Sequence, residues 1–423
     1  MARKSSTGKD PEDILTWEEI TTTSTTCVKS HGYIANNAAT VSFHLPVYTS
    51  TDVGKKVAIV GKGAGGWLIG NRSGIDGFIF SSGIYYNTER IGSTNQYDSA
   101  ELTCSWNSNY CIHTISNVVG TLAQSNAGIG LLAEGAGTSI IITHYLYIDT
   151  LSNSSQFGNL TIPRYREAGC GSATRGLFGG GMGDTDFAQW LNSIDYFTFS
   201  WGSVATDFGD LTFWRYDNTA CSNSTRGVFC GGMSTDGYTS TNVMDYVTIS
   251  TLGNAADFGD STIAKYGSSG LASTTRGVFG GGYTVSAGAY VNVMDYITIA
   301  SAGNATDFGD LASLTGFCCG CASSTRGVFM GGWVAAPINV MQYITIASTG
   351  NTTDFGDLSE GKYGGSAFSS LTRGIYAAGT NAVGIINTIE YITIASTGNA
   401  TDFGDTYAPW YLSAGCSNVH GGI

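Results

Sequence analysis

The chain repeats its charged residues in register. Arg175, Arg226, Arg276, Arg326 and Arg373 each stand in a Thr-Arg-Gly triplet. Asp207/Asp210, Asp257/Asp260, Asp307/Asp310, Asp354/Asp357 and Asp402/Asp405 each flank a Phe-Gly pair. Carboxylates three residues apart suit acid–base catalysis or calcium. Recurrence argues for another role, because an active site is one asymmetric place and a residue present in every repeat holds repeats together. Each Arg should open a second strand, and Asp207, Asp257, Asp307, Asp354 and Asp402 should open a fourth, at the same end. A guanidinium there could reach a carboxylate with two prongs. The first repeat lacks the Arg and has Gln156 and Asn159 at the Asp positions, so both charges are lost together. The Asp-Phe-Gly string has no glycine-rich nucleotide loop, strand Lys or catalytic loop to make it a kinase motif.

Other chemistry is thinly supported. Gly61, Gly63 and Gly66 match a dinucleotide fingerprint, but Trp67 to Asn71 is strand and turn where a helix is required. His31, His44, His113, His144 and His420 are scattered. Only His144 and His420, in the first repeat and the tail, have a route to each other, and copper needs convergent His and Tyr ligands. Cys318, Cys319 and Cys321 lack a second cluster or a nearby His for zinc. Cys170, Cys221 and Cys321 share a repeat position with Leu271 and Phe368, which marks a buried apolar site. Cys104 and Cys111 flank a hairpin turn at 106–109, where a bond across it stays open. No catalytic residue, metal or cofactor is expected.

These residues are positioned by a repeating unit. The Phe of the Phe-Gly pair falls at 157, 208, 258, 308, 355 and 403. Six copies of about 50 residues suit propeller blades. Residues 275–311 read as three strands, with a fourth before Arg276. Sixty glycines, five prolines and 12% charged residues describe short strands and tight turns. Net charge −13 excludes the basic face that nucleic-acid binding needs. No apolar run is long enough to span a bilayer, so no membrane insertion is expected. The expected fold class is all-β: a small N-terminal β-domain, then a six-bladed propeller. The expected divisions are a polar lead-in at 1–20, the β-domain at 21–120, and the propeller at 121–423. The tail from 407 should close the ring by adding a strand to the first blade.

The N-terminal segments GYIANNAATVSFHLP (32–46), VAIVGKGAGGWLI (57–69) and STNQYDSAELTC (93–104) together resemble a β-domain of tail fibres of tailed bacteriophages. The repeats, with NVMDYITIASAGNATDFGDL (292–311), resemble kelch-like repeats of phage structural proteins, though the kelch Tyr and Trp spacing is not kept. The resemblance implies a virion appendage protein, often trimeric in its fibre-like parts, with other tail proteins as partners.

Variation between repeats carries the functional expectation. Loops 2–3 differ: MGDTDFAQWLNS (182–193), MSTDGYTSTN (233–242), YTVSAGAYVN (283–292), WVAAPIN (333–339) and GTNAVGIIN (379–387). With the 4–1 segments they should form one diverse, aromatic face. Trp190, Tyr238, Tyr283, Trp333, Trp214 and Trp410 are its candidate ligand residues, since rings match the apolar face of a sugar and Asp, Asn and Thr match its hydroxyls. The expected function is a host-surface glycan adhesin that does not cleave its ligand. The alternatives are a purely structural fibre or decoration protein and, more weakly, a polysaccharide-degrading virion enzyme.

Overall fold

The computed structural model describes residues 128–136, 141–183, 190–199, 204–234 and 238–423, and the backbone of eleven strands before residue 126. The chain divides into two compact units, Met1–Asn126 and Ala127–Ile423. No described residue is helical.

The described strands of the first unit form two sheets. One has seven strands, in the order Thr16–Ile20, His31–Ala35, Lys56–Gly61, Ser99–Asn107, Tyr110–Val119, Gly77–Phe80 and Gly83–Tyr85. The other orders Ser24–Thr26, Val41–His44, Trp67–Gly70 and Arg90–Ser93. One expectation changes, and one open question is narrowed. Residues 16–20 are a sheet strand, parallel to His31–Ala35, rather than part of a lead-in. The hairpin register sets Cys104 opposite His113 and Cys111 opposite Trp106, so the two cysteines are not cross-strand partners. The strand Trp67–Gly70 occupies the place where a dinucleotide site would need a helix.

The second unit is a ring of six four-stranded blades. Blade four is typical: Ser269–Ala272 innermost, then Arg276–Gly280, Val293–Thr298 and Thr306–Asp310, all antiparallel. Blades two, three, five and six follow the same order. Blade one is composite. Its second, third and outer strands are Ile129–Ala133, Ile142–Tyr147 and Ser155–Asn159, and its inner strand, Gly415–Ser417, comes from the other end of the chain.

The repeated residues are explained by contacts between blades. In the outer strand the Phe of Asp-Phe-Gly is the extra residue of a β-bulge: Met294 faces Gly309 and Asp295 faces Asp307, leaving Phe308 between, turned inward and 2% exposed. The glycine after it has φ near +137° and no room for a side chain, since a Cβ there would sit 2.5 Å from the Gly350 carbonyl of the next blade. The Asn of that blade's turn accepts from the Asp310 amide at 3.0 Å. Nearer the axis, Cys221 packs into the space left by Gly277 of the following blade, where a Cβ would meet its Sγ at 2.4 Å. Cys416, Cys170, Leu271, Cys321 and Phe368 do the same over Gly176, Gly227, Gly327, Gly374 and Gly130. The glycine of Thr-Arg-Gly is therefore a socket for a neighbour's side chain, and the core position of Cys170, Cys221 and Cys321 is observed.

The repeated Arg does not pair with the repeated Asp, which corrects the expectation above. Arg175, Arg226, Arg276, Arg326 and Arg373 each donate Nη1 to a backbone carbonyl of the next blade: Ile249, Ile299, Ile346, Ile394 and Ile148, at 2.8–3.0 Å. Each guanidinium lies over a Tyr of its own blade, 4.2–4.8 Å from the ring centre. Asp207, Asp257, Asp307, Asp354 and Asp402 are exposed on the outer rim. Asp207 and Asp257 accept from Gly209 and Gly259, two residues on.

The buried charges sit elsewhere. Arg164 meets Asp195 at 3.1 Å, Lys265 meets Asp295 at 2.9 Å, Lys362 meets Glu390 at 2.5 Å, and Arg215 pairs with Asp245. The cation comes from the segment entering the blade and the carboxylate from its third strand. Blade five replaces the pair with Thr315 and Gln342. Blade one replaces it with Trp410 and His144, whose rings are 5.2 Å apart.

Candidate functional site

Each blade is entered by a segment that crosses the top of the ring. Its last turn places one residue in the left-handed region: Arg166, Asp217, Gly267, Phe317, Gly364 and Leu412, with φ between 51° and 63°. Their amides form a closed circuit. Asp217 donates to Arg166, Gly267 to Asp217, Phe317 to Gly267, Gly364 to Phe317, Leu412 to Gly364 and Arg166 to Leu412, at 2.6–3.0 Å. This circuit frames the mouth of an axial cavity of about 130 Å³.

The frame is sixfold and its lining is not. Blades two to four contribute Arg166, Glu167, Asp217, Asn218 and Ser268. Blades five, six and one contribute Phe317, Cys318, Gly364, Gly365 and Leu412, with the hydroxyls of Ser366 and Ser413. One half of the mouth carries the charged groups, and the other is mainly apolar with two hydroxyls. Glu167 is 5% exposed and neither carboxyl oxygen has a hydrogen-bond partner among the described residues. Burial pushes its pKa up to about 8. Burial works to lower the Arg166 pKa, but the Asp217 charge at 2.5 Å overrides it and holds the guanidinium charged. Cys318 is also buried, and its thiol is pushed up to about 12, so it stays protonated rather than nucleophilic.

An aromatic collar surrounds the mouth. Tyr165, Tyr216, Tyr266, Tyr363 and Tyr411 each directly precede a circuit residue. Gly316 takes that place in blade five, where the Tyr290 ring fills the space a side chain would need. The 2–3 loops pair with this collar: Met182 bridges to Tyr165, Met233 to Tyr216, Tyr283 to Tyr266, Trp333 to Gly316 and Thr380 to Tyr363. The variable loops and the entering segments therefore share one face.

Three of the expected ligand residues lie against collar tyrosines. Trp190 stacks on Tyr216 with centres 6.5 Å apart, Tyr283 meets Tyr266 at 5.4 Å, and Trp333 meets Tyr363 at 4.9 Å. Tyr238 and Trp214 are exposed, 81% and 53%. Trp410 is a correction. It is wholly buried, in a core cluster with Leu146, Phe368 and Phe403, because it fills the position that holds a cation in four other blades. The sequence reading missed Arg166, Glu167 and Asp217. The available signal was a position that changes from Arg to Asp, Gly, Phe, Gly and Leu between otherwise repeated neighbours.

The far end of the axis carries a second, smaller cavity of about 60 Å³, bounded by His420 and Gly421. His420 Nε2 lies 3.0 Å from the Gly171 carbonyl and 3.3 Å from Ser222 Oγ, and Gly421 donates to the Ala322 carbonyl. The tail thus lies across that end of the axis. His144 has a different partner, Glu134, at 2.7 Å. Among the described residues no cluster of His, Cys, Asp or Glu could hold a metal ion.

Comparison with known proteins places the architecture. No family model matches the chain, and no curated protein matches it. A solved structure titled "Structure of YjhT" aligns with a TM-score of 0.54 at 11% identity, covering 65% of this chain and 96% of that one. The fold is a six-bladed β-propeller. At that identity the likeness extends to the fold alone.

Proposed function

We propose that the chain is a host-surface glycan adhesin of a phage virion appendage, which binds through the collared face of its propeller and does not cleave what it binds. The observation that supports this is the collar: five tyrosines around a mouth mainly polar on one side and mainly apolar on the other. Sugars present the same division, an apolar ring face beside a fringe of hydroxyls. The appendage assignment, a homo-oligomeric state, other tail proteins as partners and a place in the virion rest on the N-terminal resemblance.

The test is a glycan array probed with the full chain and with a Tyr216→Ala/Tyr266→Ala/Tyr363→Ala variant. The variant should lose about tenfold or more in affinity for every hit, since each stacked ring contributes on the order of 1 kcal/mol. Its melting temperature should stay close to that of the unaltered protein. Undiminished binding by a folded variant would sink the collar as the binding surface. An array without hits would favour the purely structural reading.

A further inference from the structure

Six rings form an unbroken arc across blades four, five and six. Trp333 meets Tyr363 at 4.9 Å, Tyr363 meets Phe317 at 6.4 Å, and Phe317 meets Tyr266 at 6.1 Å. Tyr266 meets Tyr283 at 5.4 Å, and Tyr283 meets Tyr290 at 5.1 Å. All six rings are partly exposed. Two glycines keep the arc continuous. Phe317 lies over Gly267, where a Cβ would stand 2.8 Å from its ring, and Tyr290 lies over Gly316 in the same way. Neighbouring rings are turned by 53° to 81°, so ring faces alternate with ring edges along the arc.

The arc offers no free cation to an anionic ligand. Lys265 and Lys362, each the residue before an arc tyrosine, are buried in ion pairs with Asp295 and Glu390. Among the described residues of the second unit no Lys or Arg is more than partly exposed, while the Asp of each outer strand is exposed on the rim. A polyanion would meet that field unfavourably. Burial, then Asp217 and the phenols of Tyr283, Tyr290 and Tyr216, push the Tyr266 hydroxyl up to about 12. Burial and the phenols of Tyr283 and Tyr363 raise Tyr290 as well. These hydroxyls therefore stay neutral, able both to donate and to accept. A single sugar covers one ring, whereas the steps between ring centres are each close to the length of one unit in a sugar chain. Resting on the glycan reading above, we propose that the arc binds an extended chain of uncharged sugars that turns from unit to unit, with ring faces taking the apolar sugar faces and phenols taking the hydroxyls.

Calorimetry on the full chain tests this with length series from monosaccharide to heptasaccharide. The probes are maltodextrins, which turn along the chain, flat cellodextrins, and oligogalacturonates as free acids and as methyl esters, with decaproline as a peptide control. Maltodextrins and the methyl esters should bind about threefold or more tightly with each added unit up to roughly the pentasaccharide, then level off. Each should exceed its flat or acidic counterpart by about tenfold. Phe317→Ala breaks the arc at its middle and should return the heptasaccharide to about the affinity of a trisaccharide. A monosaccharide as tight as the heptasaccharide overturns the chain inference and leaves the glycan reading standing. Equal or tighter binding of the acids overturns the uncharged ligand, and of cellodextrins the turning chain. Decaproline as tight as the best sugar would give the arc to a proline-rich protein segment instead. Failure of every series beside an array with hits overturns this inference alone, and an array free of hits overturns both readings. The series on the unaltered protein decide the matter even if the Ala variant does not fold.

Discussion

Nη2 of Arg164 lies 3.1 Å from Oδ1 of Asp195, and neither side chain is exposed. The cation also donates to the Gly180 and Ser193 carbonyls, while Thr161 donates to the carboxylate through its amide and its hydroxyl. Each charge is thus surrounded by partners, the condition under which a buried pair is tolerated and its breakage is costly.

The chain contains a neutral version of this pair, and that version can be transplanted. In blade five Gln342 Oε1 accepts from the Ala312 amide at 2.8 Å and from Thr352 Oγ1 at 2.5 Å. Lys265→Ala should destabilise blade four by about 3–5 kcal/mol in denaturant melts, by orphaning Asp295. Lys265→Thr with Asp295→Gln should recover part of the loss, and adding Ala305→Thr should recover more, because Ala305 stands where Thr352 does. A double variant no better than Lys265→Ala would show that the pair is not the source of the loss.

The repeated Arg of blades two to six should matter less. Arg276 gives up one hydrogen bond to the Ile346 carbonyl and its place over Tyr296 when replaced. Arg276→Met should cost about 1–2 kcal/mol, clearly below the cost of Lys265→Ala. Blade one already has Ile129 at this position, so an apolar replacement is compatible with the ring. A loss as large as that of Lys265→Ala would mean that the Arg holds more than this carbonyl and this ring.

Periodicity made the six blades, their strands and the buried thiols legible, because strand patterns and turn residues are local. The pairing of charges was not legible by the same route. Two sets of cation and carboxylate recur at similar spacing, one in five repeats and the other in four, and which set is buried depends on the bulge at Asp-Phe-Gly. That bulge turns Phe308 inward and leaves Asp307 at the rim. The deciding contrast was present in Thr315 with Gln342, where both charges vanish in one repeat. Trp410 was misplaced for a related reason. Membership of a segment that crosses the face does not fix which way a side chain points, and only alignment with Lys362 reveals the inward position.

Glu167 should make the protein less stable as pH rises. Its folded pKa, about 8, lies above the ordinary 4.5, so the unfolded chain ionises first. Stability linked to this group is complete below about 4.5 and is lost as pH climbs toward 8. Glu167→Gln removes that loss and should be more stable than the parent by on the order of 2 kcal/mol at pH 7. The difference in melting temperature should widen between pH 5 and pH 8. Parallel curves over that range would rule the carboxyl out as the cause.

His420 should loosen the tail on acidification. Its Nδ1 accepts the Gly422 amide at 3.0 Å, which a protonated ring cannot do. Burial holds its folded pKa below the ordinary 6.5. The docked tail is therefore fully favoured above 6.5 and loses ground as pH falls from there toward the folded pKa. Hydrogen exchange at the Gly422 amide should be faster at pH 5 than at pH 7, after correction for the intrinsic pH dependence of exchange. His420→Phe should abolish the difference. Exchange at the same corrected rate at both pH values would contradict this docking chemistry.

The mouth of the propeller is drawn by main chain alone. All six circuit residues share one backbone conformation, and holding it costs any residue other than Gly about 1–2 kcal/mol, whatever its side chain. Arg, Asp, Phe and Leu already bear that cost beside two glycines. Exchanging Phe317 for Leu or Leu412 for Phe should therefore disturb the scaffold little, whereas Arg166 and Asp217 are paired and must change together, so the lining can diverge while the aperture stays the same size. On the proposed adhesin reading, such a face could follow a changing receptor through substitutions at a few positions, with the ring that carries them left untouched.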